Sequence, residues 1–178
     1  SELERLLRED EEMVERVERV LKELEEEVRK ALKRAKEMHR RLLERLKTIL
    51  DELERKEPRE DLLRELETLA EEIKRILEEL NKELRKLLRE IEEELKRLLK
   101  EHKELSDRIK KILEEKVDDK EKVKELERRS RKTHKELADK ADTLRKRLEE
   151  VIKESEDVTE ELERRLKKLI DDLRRSVT

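Results

Sequence analysis

The chain of 178 residues lacks several amino acids that most folded proteins use. It contains no glycine, no cysteine and no aromatic residue, and its single proline is Pro58. Without glycine, the tight turns and phosphate-binding loops of many active sites are difficult to build. Without cysteine there are no disulfides and no thiolate ligands for zinc. Without aromatic residues no side chain can stack on a nucleic acid base. We therefore expect no enzyme, no cofactor and no nucleic acid partner.

What the chain does contain is typical of long helices. Charged residues make up 59% of it and hydrophobic residues 32%, and Glu, Lys, Arg and Leu dominate. The net charge is only -3, with both signs interspersed, which argues against a disordered polyelectrolyte. No apolar run is long enough to span a membrane, and no segment has the pattern of a signal peptide. We expect a soluble protein with no membrane partner, cytoplasmic on recombinant expression.

Two segments have the composition of turns between helices. In 56–61, Pro58 suits the first turn of a helix, and the residue before a proline is disfavoured in helical geometry. In 116–121, Asp118 is a candidate N-cap and Glu121 would complete a capping box. A third candidate, 155–160, also has capping-box spacing, but Val158 continues the apolar pattern there. We therefore favour an unbroken third helix.

These turns predict an all-α fold with three helices, at about 2–56, 59–116 and 119–176, in a single bundle over 1–178. Short turns make neighbouring helices antiparallel, so the bundle runs up, down and up. Each helix would be on the order of 80–90 Å long, which makes the bundle elongated. Apolar residues recur at steps of three and four with a mean period between about 3.5 and 3.6, which predicts a nearly straight or weakly left-handed bundle.

The uncharged polar residues fall at matching heights in this arrangement. Residues at one level have numbers that add up to about 116 in the first two helices and about 236 in the second and third. Level residues of the parallel first and third helices differ by about 120. Since buried polar groups need hydrogen-bond partners, we predict polar layers across the core. These are Asp10 with Ser106 and Ser130, His102 with Thr133 and His134, Asn81 with Ser155, and His39 with Thr159.

The same residues have other interpretations. Some are surface residues if the levels agree by chance. A metal site at His102 and Asp10 is disfavoured, because serine and threonine are poor ligands and no Glu-x-x-His motif occurs. A catalytic triad of Ser106, His102 and Asp10 would lack a cleft and an oxyanion hole. A pH response is more credible, since a buried neutral histidine must become charged at low pH.

The charged surface, the aliphatic core, the near-equal helices, the opening segment 1–4 and the level polar residues together resemble a de novo designed helical bundle with buried cross-helix hydrogen-bond networks. The glycine-free turns depart from that style. The resemblance implies a very stable structural or interaction scaffold with no natural substrate. Our first hypothesis is a monomeric scaffold without activity. The alternative is a designed interaction module, either a heterodimer partner or a self-associating bundle, and such a module could respond to pH through its buried histidines. A spectrin-type spacer is disfavoured, because its helices are about half as long and tryptophan is missing here.

Overall fold

A computed structural model describes residues 1–55 and 59–177 of the chain, and three α-helices account for nearly all of them. They are α1 (Glu2–Glu54), α2 (Arg59–Lys116) and α3 (Lys120–Val177). The predicted all-α fold of three helices is confirmed. The helix α3 is continuous through 155–160, as we favoured. The predicted turn at 56–58 lies outside the described residues.

At the beginning of α1 and of α3, a side-chain oxygen caps the helix by accepting a hydrogen bond from a backbone amide. At the first, the Ser1 hydroxyl accepts a hydrogen bond of 3.3 Å from the Glu4 amide, and the Glu4 carboxylate lies 3.8 Å from the terminal amino group. At α3, the carboxylate of Asp119 accepts a hydrogen bond of 3.2 Å from the Lys122 amide. The cap therefore lies one residue after the predicted Asp118.

The shift of this cap follows from the way α2 ends. The Val117 amide donates to the Leu113 carbonyl at 3.3 Å, which continues the last turn of α2 by one residue. The Asp119 carbonyl accepts a hydrogen bond of 3.1 Å from the Val123 amide, which is the first bond of the next helix. Only Asp118 is left to connect the two, so the cap falls on the following aspartate.

The contacts of the chain group into two compact units. Unit 1 comprises Ser1–Val28 and Leu88–Leu148, and unit 2 comprises Arg29–Leu87 and Glu149–Thr178. Each unit draws a segment from all three helices. In unit 1, ion pairs join Glu2 to Lys116 and Arg16 to Glu101, so residue numbers rise along α1 as they fall along α2. In unit 2, ion pairs join Glu67 to Arg174 and Arg85 to Glu156, so residue numbers rise along α2 as they fall along α3. The helices α1 and α2 are therefore antiparallel in unit 1, and α2 and α3 are antiparallel in unit 2.

Each unit has an aliphatic core formed by the apolar face of its helices. In unit 1 the cluster comprises Leu6, Leu105, Ile109, Leu113 and Val123. In unit 2 it comprises Leu42, Leu46, Leu62, Leu66, Leu69, Ile73, Leu77, Leu162, Leu166 and Leu173. Burying one such side chain contributes roughly 1.5–3 kcal/mol. None of the helices in 1–55 and 59–177 has a stretch both long and apolar enough to cross a membrane.

The apolar face is wider than a two-stranded seam. Leu77 is fully buried although it lies beside the three-and-four stripe through Ile73 and Leu80, whereas Ile76 is only partly buried. A helix in a three-helix bundle faces two neighbours, so its buried face covers more of its circumference than a single seam does.

Candidate functional site

In unit 2, four polar side chains from all three helices meet in the core, and we call them the Asn81 layer. It comprises His39 of α1, Asn81 of α2, and Ser155 and Thr159 of α3. The Ser155 hydroxyl donates to Asn81 Oδ1 at 2.7 Å, and Asn81 Nδ2 donates to the Thr159 hydroxyl at 3.2 Å. The Thr159 hydroxyl in turn donates to the Ser155 carbonyl at 2.8 Å. Ser155 and Thr159 are buried, so these bonds satisfy groups that water cannot reach well.

The bonds of this layer fix the state of its histidine. His39 Nε2 lies 3.4 Å from the Ser155 hydroxyl oxygen. That hydroxyl has one proton, which it already donates to Asn81. His39 must therefore donate through Nε2–H, and its Nδ1 is unprotonated in the neutral ring. Burial lowers the pKa of His39 below its ordinary value, which favours this neutral form.

In unit 1, a second polar group surrounds His102, and we call it the His102 layer. The side chain of His102 is fully buried. Its Nδ1 lies 2.9 Å from Nδ1 of His134, and the two ring planes are within 4° of parallel with centroids 5.2 Å apart. On the other side, His102 Nε2 lies 3.1 Å from Oδ1 of Asp10. The layer thus connects α1, α2 and α3 through one imidazole ring.

The contact between His102 and Asp10 is close but not aligned. His102 Nε2 and Asp10 Oδ1 lie 3.1 Å apart, but their geometry is not that of a hydrogen bond, and neither atom has another hydrogen-bond partner. We therefore treat it as an electrostatic contact. A carboxylate can only accept, so it favours the tautomer of His102 with the proton on Nε2. The Nδ1 of His102 then accepts from His134 Nδ1–H.

The second histidine of this layer is held in its neutral form. Burial lowers the pKa of His134, and the neighbouring His102 and Lys103 lower it further. Asp107 acts in the opposite direction. Two imidazoles in contact repel each other if both are charged. A state with at most one charged ring is therefore favoured.

The structure places the remaining predicted residues differently. Ser106 and Ser130 each have a buried hydroxyl oxygen with no hydrogen-bond partner, so neither hydroxyl is hydrogen-bonded to Asp10. Thr133 is partly buried and forms no hydrogen bond with either histidine in the described part of the chain. Helix axes in contact lie roughly 8–10 Å apart, and two serine side chains are too short to span that distance. In both layers that do form, a long side chain, histidine or asparagine, bridges the gap.

Ion pairs between helices are a feature that the sequence reasoning missed. Arg45 donates to both carboxylate oxygens of Glu72, at 3.0 and 3.2 Å, and this bond lowers the pKa of Glu72. Arg16 donates to Glu101 at 3.2 Å. The residue numbers of each pair add up to about 117, so the level rule applied to charged residues would have found them. Such exposed pairs contribute little to stability because water screens them, but they favour one register of the helices.

A metal centre has no support in the described residues. Within 1–55 and 59–177, no group of three or more histidine, cysteine, aspartate or glutamate side chains is arranged to hold an ion. The His102 layer offers Asp10, His102 and His134, but the two histidines use their Nδ1 atoms on each other.

Comparisons with known proteins agree with this architecture. No family model matches the sequence, and no curated protein matches it. A solved structure described as "Computationally designed three helix bundle" matches with a TM-score of 0.52 and 22% sequence identity. The match covers 98% of this chain and 91% of that chain. The chain therefore shares the three-helix bundle fold of that protein.

Proposed function

We propose that the protein is a designed structural scaffold, one three-helix bundle over 1–178 with polar hydrogen-bond layers in its core and no natural biochemical activity. The observation that carries this proposal is the Asn81 layer. It joins side chains of three helices, and its amide and hydroxyl groups bond to one another at 2.7–3.2 Å. The absence of glycine and aromatic residues and the likeness to a designed bundle support the same conclusion.

The role of such a layer is to select one arrangement of the helices. Aliphatic side chains pack in many registers at similar energy, whereas a buried amide is satisfied only where its partners lie. A shift of α2 by one turn would move Asn81 away from Ser155 and Thr159 and leave buried polar groups unpaired. Each such group costs about 1–3 kcal/mol, which disfavours the shifted register.

The mass of the protein in solution tests the scaffold proposal against the interaction module. We expect a monomer of 21.9 kDa by sedimentation equilibrium over a wide concentration range. A mass that rises with concentration to a dimer or larger species would refute the monomeric scaffold and favour self-association. The other form of the interaction module is a heterodimer, in which a designed helical partner would bind to this protein as a separate chain.

A second candidate function is a response to pH, favoured by the contact between His102 and His134. The pKa values of His39 and His134 are lowered in the folded chain. The unfolded chain therefore takes up protons below a pH of about 6.5, where the folded chain resists them. Stability should be unaffected above that pH and should fall as the pH decreases below it. At His134, Asp107 opposes the lowering of the pKa, and His102 and Lys103 reinforce it.

The pH response is tested by guanidinium unfolding at pH values of about 7.5 and 5. We expect a lower midpoint at the lower pH, and a smaller difference in the double variant His39→Asn, His134→Asn. Carboxylates begin to titrate in the same range, so this variant is the necessary control. An equal loss of stability in parent and variant would show that the histidines do not cause it.

A further inference from the structure

Unit 1 contains a groove between α2 and α3 that the scaffold role does not require. Its volume is about 490 Å³, and its apolar walls are formed by Ile109, Leu113, Leu126 and Ala138. Sites for small molecules have volumes of roughly 300–1,000 Å³ and mostly apolar walls. The groove is therefore large enough for a small apolar ligand.

The groove also contains polar atoms without partners. Ser106 and Ser130 are among the residues that line it, and the hydroxyl oxygen of each is buried and unpaired. A buried hydroxyl without a hydrogen bond is unfavourable, and elsewhere in the core such groups are paired. A ligand with hydrogen-bond acceptors at this point of the groove would offer these hydroxyls the partners they lack.

The charges at the edge of the groove favour one sign of ligand. Four exposed cations line it: Lys103, Lys110, Arg131 and Lys135. None of them forms an ion pair with a described residue. The carboxylates of Asp107 and Glu127 oppose them, which leaves two positive charges in excess. The edge therefore attracts anions.

A second groove of unit 1 provides an internal comparison. It has a volume of about 640 Å³ and lies between α1 and α3. Its three carboxylates and three cations balance, and two ion pairs cross it: Glu18 with Lys140 at 4.0 Å and Glu25 with Arg147 at 3.2 Å. The charges of this second groove are thus paired across it, whereas the four cations of the first groove form no ion pairs with described residues.

We propose that the groove between α2 and α3 binds an anionic amphiphile, a molecule with an aliphatic chain and a carboxylate head. The chain lies against Ile109, Leu113 and Leu126, where it removes apolar surface from water. The carboxylate accepts hydrogen bonds from the hydroxyls of Ser106 and Ser130 and lies among the four cations. The neutral ring of His134 borders the same groove.

Glu127 is the group that opposes this ligand. Its Oε1 is buried and has no hydrogen-bond partner, and it lies one turn before Ser130 on α3. Its negative charge weakens the binding of an anion. The isosteric substitution Glu127→Gln should therefore strengthen the binding of an anionic ligand and leave a neutral ligand unaffected.

The experiment compares three probes of equal chain length on the intact protein. Decanoate, decan-1-ol and decyltrimethylammonium are titrated by isothermal calorimetry at low ionic strength. We expect decanoate to bind at least about tenfold more tightly than the alcohol, and the cation to bind least. Glu127→Gln should tighten decanoate binding, and Lys110→Gln should weaken it. The matched control Lys140→Gln, in the second groove, should change nothing.

A second set of variants tests the location. Ser130→Leu fills the groove and removes an unpaired hydroxyl, so it should abolish decanoate binding while the circular dichroism melt stays as high as that of the parent. Ala138→Leu fills the groove about two turns further along α3, and it is the variant to use if Ser130→Leu does not fold. The proposal is overturned if decanoate does not bind at millimolar concentration, if all three probes bind equally, or if binding persists in a folded, filled variant.

Discussion

The hydrogen bond between Asn81 and Ser155 makes the energetics of the polar core measurable. Ser155→Ala removes the hydroxyl that donates to Asn81 Oδ1 at 2.7 Å. The amide oxygen is left without its partner in a partly buried position, at a cost of about 1–3 kcal/mol. Asn81→Leu leaves the Ser155 hydroxyl, which is 2% exposed as a residue, with only the contact of 3.4 Å to His39. We expect a similar loss.

The double variant separates the bond from general damage to the core. With Asn81→Leu and Ser155→Ala together, neither member of the pair remains unpaired. The Thr159 hydroxyl keeps its bond of 2.8 Å to the Ser155 backbone carbonyl, which the substitution does not remove. Only the Nε2–H of His39, which is partly buried, loses its acceptor, so the double variant should be slightly less stable than the parent. Its free energy of unfolding should be at least about 1 kcal/mol higher than the value expected if the two single losses simply added.

Guanidinium unfolding measures this coupling. Because the chain has no tryptophan or tyrosine, far-ultraviolet circular dichroism is the suitable probe. The midpoints of the parent, the two single variants and the double variant are compared. One shared slope of the unfolding free energy against denaturant converts them to free energies. If the two losses simply add, the pair is not coupled and the Asn81 layer does not exist in solution.

Two further predictions concern the helices themselves. Asp119→Ala removes the cap that accepts from the Lys122 amide, so it should destabilise the protein by roughly 0.5–2 kcal/mol, whereas Asp118→Ala should have little effect; equal effects would contradict the assigned cap. The long, locally connected helices should keep most of their circular dichroism above about 80 °C, and a cooperative melt below about 60 °C would show that the core is weaker than its aliphatic packing indicates.

The sequence predicts the helices well because their causes are local. Proline, capping aspartates and the apolar period are all read from short windows. The cap at Asp119 was missed by one residue, since two consecutive aspartates can each serve and only the extra bond of Val117 to Leu113 decides between them.

The polar residues were predicted less completely, for a geometric reason. The level rule gives the height of a residue along a helix but not its direction around the axis. It places Asn81 beside Ser155 and His102 beside His134, and the structure brings both pairs into contact. Thr133 has nearly the same height as His134, but successive residues point about 100° apart around a helix, so they face different neighbours.

Side-chain length explains the other difference. Asp10 of α1 lies at the level of Ser106 of α2. It nevertheless contacts His102, which lies one turn before Ser106 on α2. An imidazole is long enough to reach a neighbouring helix, whereas a serine hydroxyl needs a long partner such as Asn81 to bond across the gap. The unpaired serines and the groove they line thus follow from packing that no count of residue levels contains.

The most direct test of the account is the exchange of the Asn81 side-chain amide protons with water, measured by nuclear magnetic resonance. Asn81 is the only asparagine in the chain and there is no glutamine, so its amide signals are unambiguous. If Asn81 Nδ2 donates to Thr159 within a closed layer, at least one of its protons should exchange far more slowly than in a free peptide, and it should lose this protection in Thr159→Val. Exchange at the rate of a solvated asparagine would show that the layer is open, and it would contradict a core organised by hydrogen bonds.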